Sequence, residues 1–262
     1  MTHTAAQLAF LQAALGAHLA AFVVRLLGRR RLAWACFAIA FALTVVGVAL
    51  RAAATGHWPL QNLFEVFVLL AALVFPLSVL CRRLLGVGGE AADMVLAAAL
   101  LAGPAFFLPP EPRPLPPALQ SPLFVPHVAA YVLAYVILAK AGVVAAGLLL
   151  RGDAPPSPGL VSRGRAVDRL IALGFPLLTA GLLLGSVWGK LAWGDWWNWD
   201  PKEMWSLATW LVYVGCLHVR ATWGRRASRA TAALAVLGVI LIAATLLWAN
   251  ISRLFAGLHS YE

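Results

Sequence analysis

Charge is scarce in this chain. Of its 262 residues only 11% are Asp, Glu, Lys or Arg, while 62% are hydrophobic. A soluble domain carries about 25% charged residues. A chain this apolar cannot cover a water-facing surface, so a soluble enzyme is excluded. Acidic groups are the scarcest, 10 against 20 basic ones. Cysteine is nearly absent: Cys36, Cys81 and Cys216 are far apart, and no CxxC occurs. That excludes a thioredoxin-like redox motif, a zinc ribbon and a c-type haem attachment site on the chain itself. There is no internal repeat and no stretch that reads as a soluble domain. The first apolar run lacks a basic flank on its N-terminal side, so no cleaved signal peptide is expected.

What the chain has instead is long apolar runs. A spanning helix needs about 20 mostly apolar residues. Eight runs qualify as candidates: Ala5–Leu27, Leu32–Ala54, Leu60–Cys81, Ala91–Leu108, Phe124–Leu150, Leu170–Lys190, Met204–Arg220 and Thr231–Ile251. The reading is an all-α polytopic membrane protein with about eight transmembrane helices, residues 1–262 forming one integral membrane domain. The net charge of +10 would suggest nucleic acid in a soluble protein. Here the arginines sit between apolar runs, so no nucleic-acid partner is expected and the lipid bilayer is the partner. Arg25 lies near the end of the first run and Arg29, Arg30 and Arg31 follow it, and Arg82 and Arg83 follow the third. Arg151, Arg163, Arg165 and Arg169 follow the fifth, and Arg220, Arg225, Arg226 and Arg229 the seventh. Positively charged loops stay in the cytoplasm. Both termini are therefore expected on the outer, periplasmic side.

Two expected outer loops stand apart. Pro109–Pro122 is Pro-rich and reads as extended. Lys190–Trp205 connects helices 6 and 7 and reads KLAWGDWWNWDPKEMW. Seven of the eleven tryptophans lie between Trp188 and Trp210. Tryptophan is common at membrane interfaces, but a belt accounts for one or two per helix end. Trp193, Trp196, Trp197, Trp199 and Trp205, with Gly194 allowing close backbone approach, suit a large planar apolar ligand. Haem comes first and quinone second. Asp200 is a further candidate contact of that ligand, and Asp200, Pro201 and Glu203 also read as a helix start: cap, first helical position and capping box.

Haem needs axial ligands, and histidine is the usual one. His127 opens helix 5 and His259 follows helix 8, both on the outer side. Each reads either as an iron ligand or as an interfacial histidine bonded to a nearby loop. His218 lies 15 residues beyond Glu203, about 22 Å along helix 7. An ionisable group at that depth is a candidate functional site, or an interfacial histidine beside Arg220. His18 and Lys140 sit at comparable depth; Lys140 also reads as snorkelling to the cytoplasmic interface. His3 and His57 carry no pattern.

The run from Trp193 to Arg220 resembles the WWD signature of haem-handling proteins of cytochrome c biogenesis, with 188–210 as the WWD segment. The continuation through DPKE, WSL, TW and LH is similar to the CcsA (ResC) family of System II. WPLQNLFE (Trp58–Glu65), PALQSPLFVPHV (Pro117–Val128) and GLHSY (Gly257–Tyr261) agree in order. CcmC, with fewer helices, and CcmF, much longer, fit less well. The resemblance implies that His127 and His259 ligate the iron of an outer haem b, and that His218 ligates iron at an inner site. The second inner ligand belongs to a CcsB (ResB) partner, with His18 as an alternative. It implies attachment of haem to the CxxCH segment of an apocytochrome c, as a haem lyase acting only with that partner. No side-chain acid or base and no catalytic Cys is expected. Lys190, Lys202 and Arg253 are equal candidates for the haem propionates. A haem exporter of CcmC type and a quinone-binding membrane protein remain the alternatives. The expected location is the bacterial cytoplasmic membrane, or the thylakoid membrane if plastid, with the active site on the extracytoplasmic side.

Overall fold

The computed structural model describes residues 3–153 and 159–248. Among them are eight α-helices and no strand. They are α1 (His3–Leu26), α2 (Arg30–Thr55), α3 (Leu63–Leu84), α4 (Glu90–Phe106), α5 (Phe124–Arg151), α6 (Arg163–Trp193), α7 (Pro201–Trp223) and α8 (Ser228–Ala243). A π-helical turn, Ala244–Trp248, continues α8. The all-helical form follows from the solvent: in lipid every peptide group must be bonded within its own segment. Six helical stretches are long and apolar enough to cross a membrane. The last, Pro201–Leu247, holds both α7 and α8. The chain is thus an all-α, multi-pass membrane protein.

Several helices extend past their apolar runs into polar flanks, while α3 starts at Leu63 and α4 stops at Phe106, inside theirs. α6 begins at Arg163, seven residues before the apolar run at Leu170. Hydropathy marks the lipid-facing part, whereas backbone hydrogen bonding carries on into the polar flank. There Arg220 pairs with Asp168 at 2.8 Å and Arg163 donates to the Gly152 carbonyl at 3.0 Å. The Pro-rich stretch is irregular, apart from one 3-10 turn at Pro117–Leu119.

The chain divides into two compact units. The first comprises residues 1–82 and 88–119. Its core joins Leu11 and Ala14 of α1 to Phe64, Val68 and Ala71 of α3 and Leu101 of α4. Gly47 of α2 provides a notch for Leu11: a Cβ there would lie 2.7 Å from its Cδ2. The buried His18 ring meets Phe37 edge-on at 5.5 Å, and Phe37 meets Phe75 at 5.1 Å. Arg51 and Glu65, each nearly inaccessible, pair at 2.8 Å. Arg51 also donates to the carbonyls of Pro110 and Glu111. Its cation thereby ties the Pro-rich stretch to α2 and α3.

The second unit comprises residues 83–87 and 120–262. Small residues let its helices approach closely, as is general in membranes. Gly174 of α6 faces Leu138 of α5, and Gly238 of α8 faces Tyr213 of α7. Lys140 on α5 is 2% exposed, which corrects the snorkelling expectation. Its stem is walled in by packing and does not lie along a lipid-facing surface.

Candidate functional site

The tryptophan segment lies within the second unit, and its shape begins with two helix ends. α6 runs through Trp193 and ends at Gly194, which adopts the left-handed conformation at φ 91°. Only glycine takes that turn without a Cβ penalty, so Gly194 has a conformational role. A Cβ there would meet nothing within 4 Å, which leaves the approach open. Lys190 donates to the Gly194 carbonyl. Ser186 donates to the Trp196 carbonyl at 2.9 Å, folding the segment back along α6.

α7 starts with the capping box read from the sequence. The Asp200 carboxylate accepts from the Lys202 N–H at 2.9 Å, and Pro201 occupies the first turn. Glu203 Oε2 accepts from the Asp200 N–H at 3.2 Å and from the Asn198 N–H at 2.8 Å. Between these two donors sits Trp199 with φ 59°, the one non-glycine residue at positive φ among the described residues. Such a conformation costs about 1–3 kcal/mol away from glycine. Trp196 is 57% exposed and Trp199 69%. Trp193, Trp197 and Trp205 are half-buried. Trp197 meets Trp199 edge-on at 6.2 Å.

His127 is brought to the same helix end. Its ring stacks on Trp188 at 5.6 Å with 22° between planes. Trp188, itself buried, meets Trp193 at 4.7 Å. The His127 Nδ1 lies 2.9 Å from the Gly181 carbonyl oxygen. A carbonyl only accepts, so Nδ1 donates there, and in the neutral ring Nε2 is the nitrogen without a hydrogen. A histidine that ligates metal holds its other nitrogen in this way. Gly185 makes the room: a Cβ there would stand 2.5 Å from His127 Cε1. Gly181 likewise admits Tyr131, whose ring meets His127 at 5.1 Å.

The structure therefore gathers His127, Trp188 and Trp193 into one aromatic cluster, with His127 stacked on Trp188 and Trp193 edge-on to it, beside a segment that exposes Trp196 and Trp199. Sequence reasoning missed Trp188 as the supporting ring and Gly181 and Gly185 as the slot. The signal available was spacing: Gly181, Gly185 and Gly189 repeat every fourth residue, on one face of α6. His259 and Arg253 lie outside the described residues. His218 is exposed on α7, with Trp223 edge-on at 6.4 Å. His18 belongs to the first unit. His57 Nδ1 donates to the Trp58 carbonyl at 2.9 Å. Among the described residues no group of three or more His, Cys, Asp or Glu is arranged to hold a metal ion. An iron held in a macrocycle needs only axial donors, so that observation leaves haem open.

A family model described as Cytochrome C assembly protein matches residues 32–256. The cytochrome c biogenesis protein CcsA of Chlamydomonas reinhardtii is 34% identical over 226 residues, 79% of this chain and 62% of the relative. The chain thus spans less than two thirds of that algal protein. CcsA of Synechococcus elongatus is 34% identical over 79% of each chain. CcsA of Parasynechococcus marenigrum is 33% identical over 97% of this chain and 93% of its own. Among solved structures, cytochrome c haem lyase CcmF superposes with a TM-score of 0.66 at 19% identity. The match covers 94% of this chain and 47% of that one, and at that identity it speaks for the fold alone.

Proposed function

The chain belongs to the cytochrome c assembly family, in its CcsA line, and from that premise we propose that it binds haem b as substrate at the outer membrane face and, with a CcsB-like (ResB-like) subunit, attaches it to apocytochrome c. Its general role is in cytochrome c maturation. Residues 1–262 act as one integral membrane domain with eight spans and both termini outside. Residues 188–210 form its haem-handling segment, in the loop between α6 and α7 on the outer side.

One observation carries this reading. His127 is stacked on Trp188 and donates from Nδ1 to the Gly181 carbonyl. A ring fixed through one nitrogen suits ligation through the other, and it sits beside a segment that exposes Trp196 and Trp199. His127 and His259 take the two axial positions. The faces of the indoles at 193, 196, 197, 199 and 205 cover the apolar macrocycle. Gly194 keeps the backbone out of the way, and Asp200 acts by starting α7. Haem arrives from the cytoplasmic side past His218, the inner ligand, where the partner subunit supplies the opposite one. Lys190, Lys202 or Arg253 pairs with the propionates.

Attachment consumes no oxidant or reductant. Each thiol of a CxxCH segment adds across a vinyl: the sulfur bonds to one vinyl carbon and the thiol hydrogen ends on the other. The substrate histidine then replaces one protein ligand on iron. The chain contributes position, holding both reactants in register.

Co-expression with a CcsB-like subunit and a CxxCH acceptor, followed by haem staining of the denatured acceptor, tests the reading. The expected result is covalent haem on the acceptor, lost with His127→Ala. Haem bound to the chain but never attached to the acceptor would instead make it an exporter.

A further inference from the structure

Glu203 does more than begin a helix. A capping box requires one bond from its side chain, to the Asp200 N–H. The shorter bond, 2.8 Å, goes to the Asn198 N–H two residues earlier, and one oxygen takes both. These donors flank Trp199 on either side. Backbone N–H groups converge on one anion in this way when a residue among them turns left-handed, and Trp199 has φ 59°.

We propose that Glu203 is a positioning residue for Trp199: its carboxylate holds the left-handed turn that presents this indole to haem. The proposal rests on the haem reading above and singles out one indole and one carboxylate within it. Burial does not hold Trp199 in place, since 69% of it is exposed. Its indole stands edge-on to Trp197. Glycine would take the same backbone without strain, yet the position carries the largest side chain. An exposed indole in a strained turn is accounted for when its outer face is covered by a flat apolar ligand. The Glu203 bridge offsets the strain before the ligand arrives, so the indole is ordered in advance.

The test uses the full chain in nanodiscs, labelled with 5-fluorotryptophan, and haem itself as the probe. The Trp199 fluorine line is assigned by its loss in Trp199→Phe. Glu203→Gln keeps an acceptor oxygen, so in the haem-free protein the line stays in place and haem affinity stays near that of the parent. Glu203→Ala moves or broadens the line and weakens haem binding by about tenfold, the size expected for losing one such backbone restraint. Asp200→Ala breaks the cap but spares the bridge, and leaves the line in place. Trp199→Gly weakens haem binding about as much as Glu203→Ala, and the two together are no worse than either, because they remove one device. If Glu203→Ala does not fold, adding Trp199→Gly restores folding by removing the strain. The proposal is overturned by an unmoved line in Glu203→Ala, by an equal shift in Asp200→Ala, by losses that multiply in the double variant, or by a Glu203→Ala chain that Trp199→Gly does not rescue. Absence of haem binding by the parent protein would remove the haem reading, while the fluorine spectra of the haem-free variants still decide whether Glu203 sets Trp199.

Discussion

At the scale of single residues, the space around His127 decides what the ring can do. Gly185 leaves no room for a methyl group beside Cε1. Gly185→Ala therefore forces the ring or α6 to shift, an overpacking that costs about 1–3 kcal/mol. The expected result is a chain that still inserts but whose haem no longer shows a bis-histidine spectrum. Added imidazole restores that spectrum in His127→Gly, because only the donor is missing there, and fails to restore it in Gly185→Ala, because the slot is filled. Visible spectroscopy of the purified variants separates the two. Much of this neighbourhood was legible in advance. The sequence places His127 at the start of α5, and Asp200 and Glu203 read as a capping box from residue types and spacing alone. The Gly185 slot was not legible, because a glycine in an apolar helix has no meaning until the ring opposite it is known. Nor was the burial of Lys140, since its position along α5 says nothing about which neighbours surround it.

At the scale of elements, the Arg51–Glu65 pair fastens α2 to α3 and to the stretch after α4. Both partners are nearly inaccessible and the bond is 2.8 Å. Removing one member of a buried pair leaves an uncompensated charge and costs about 3–5 kcal/mol. Glu65→Ala is expected to lower thermal stability in detergent sharply. The double substitution Arg51→Met with Glu65→Leu is expected to recover most of that loss, because no charge is left buried. If the double variant melts as low as the single one, the pair matters through the carbonyls of Pro110 and Glu111 and not through charge balance. The eight helices themselves follow the apolar runs closely. Their polar extensions do not, and α6 shows why: Arg163, Arg165 and Arg169 lower the local hydropathy but cost the helix nothing. Arg163 bonds the Gly152 carbonyl at the end of α5, and Arg169 the Leu85 carbonyl just after α3.

At the scale of the whole molecule, the number of spans turns on α4. Its 17 residues rise about 26 Å at 1.5 Å per residue, short of an apolar layer of about 30 Å. Length alone would leave it out. Charge argues the other way. If α4 did not cross, every later connection would change sides. Arg151, Arg163, Arg165 and Arg169, and then Arg220, Arg225, Arg226 and Arg229, would face outward, against the bias that keeps such clusters in the cytoplasm. Eight basic residues weigh more than a mismatch of a few ångströms, which the bilayer absorbs by thinning at fractions of a kcal/mol per ångström. The exposed Phe106 and Phe107 at its end suit a helix that stops at the headgroups. α4 is therefore expected to cross. Single cysteines at Arg29, Pro112 and Asp195, in a chain with Cys36, Cys81 and Cys216 replaced, decide it by labelling intact cells with a membrane-impermeant maleimide. Pro112→Cys and Asp195→Cys are expected to label from outside and Arg29→Cys only after lysis. Labelling of Arg29→Cys and Pro112→Cys from the same side would show that α4 does not cross. The tryptophan segment would then face the cytoplasm, and haem attachment would have to be sought on the other side of the membrane.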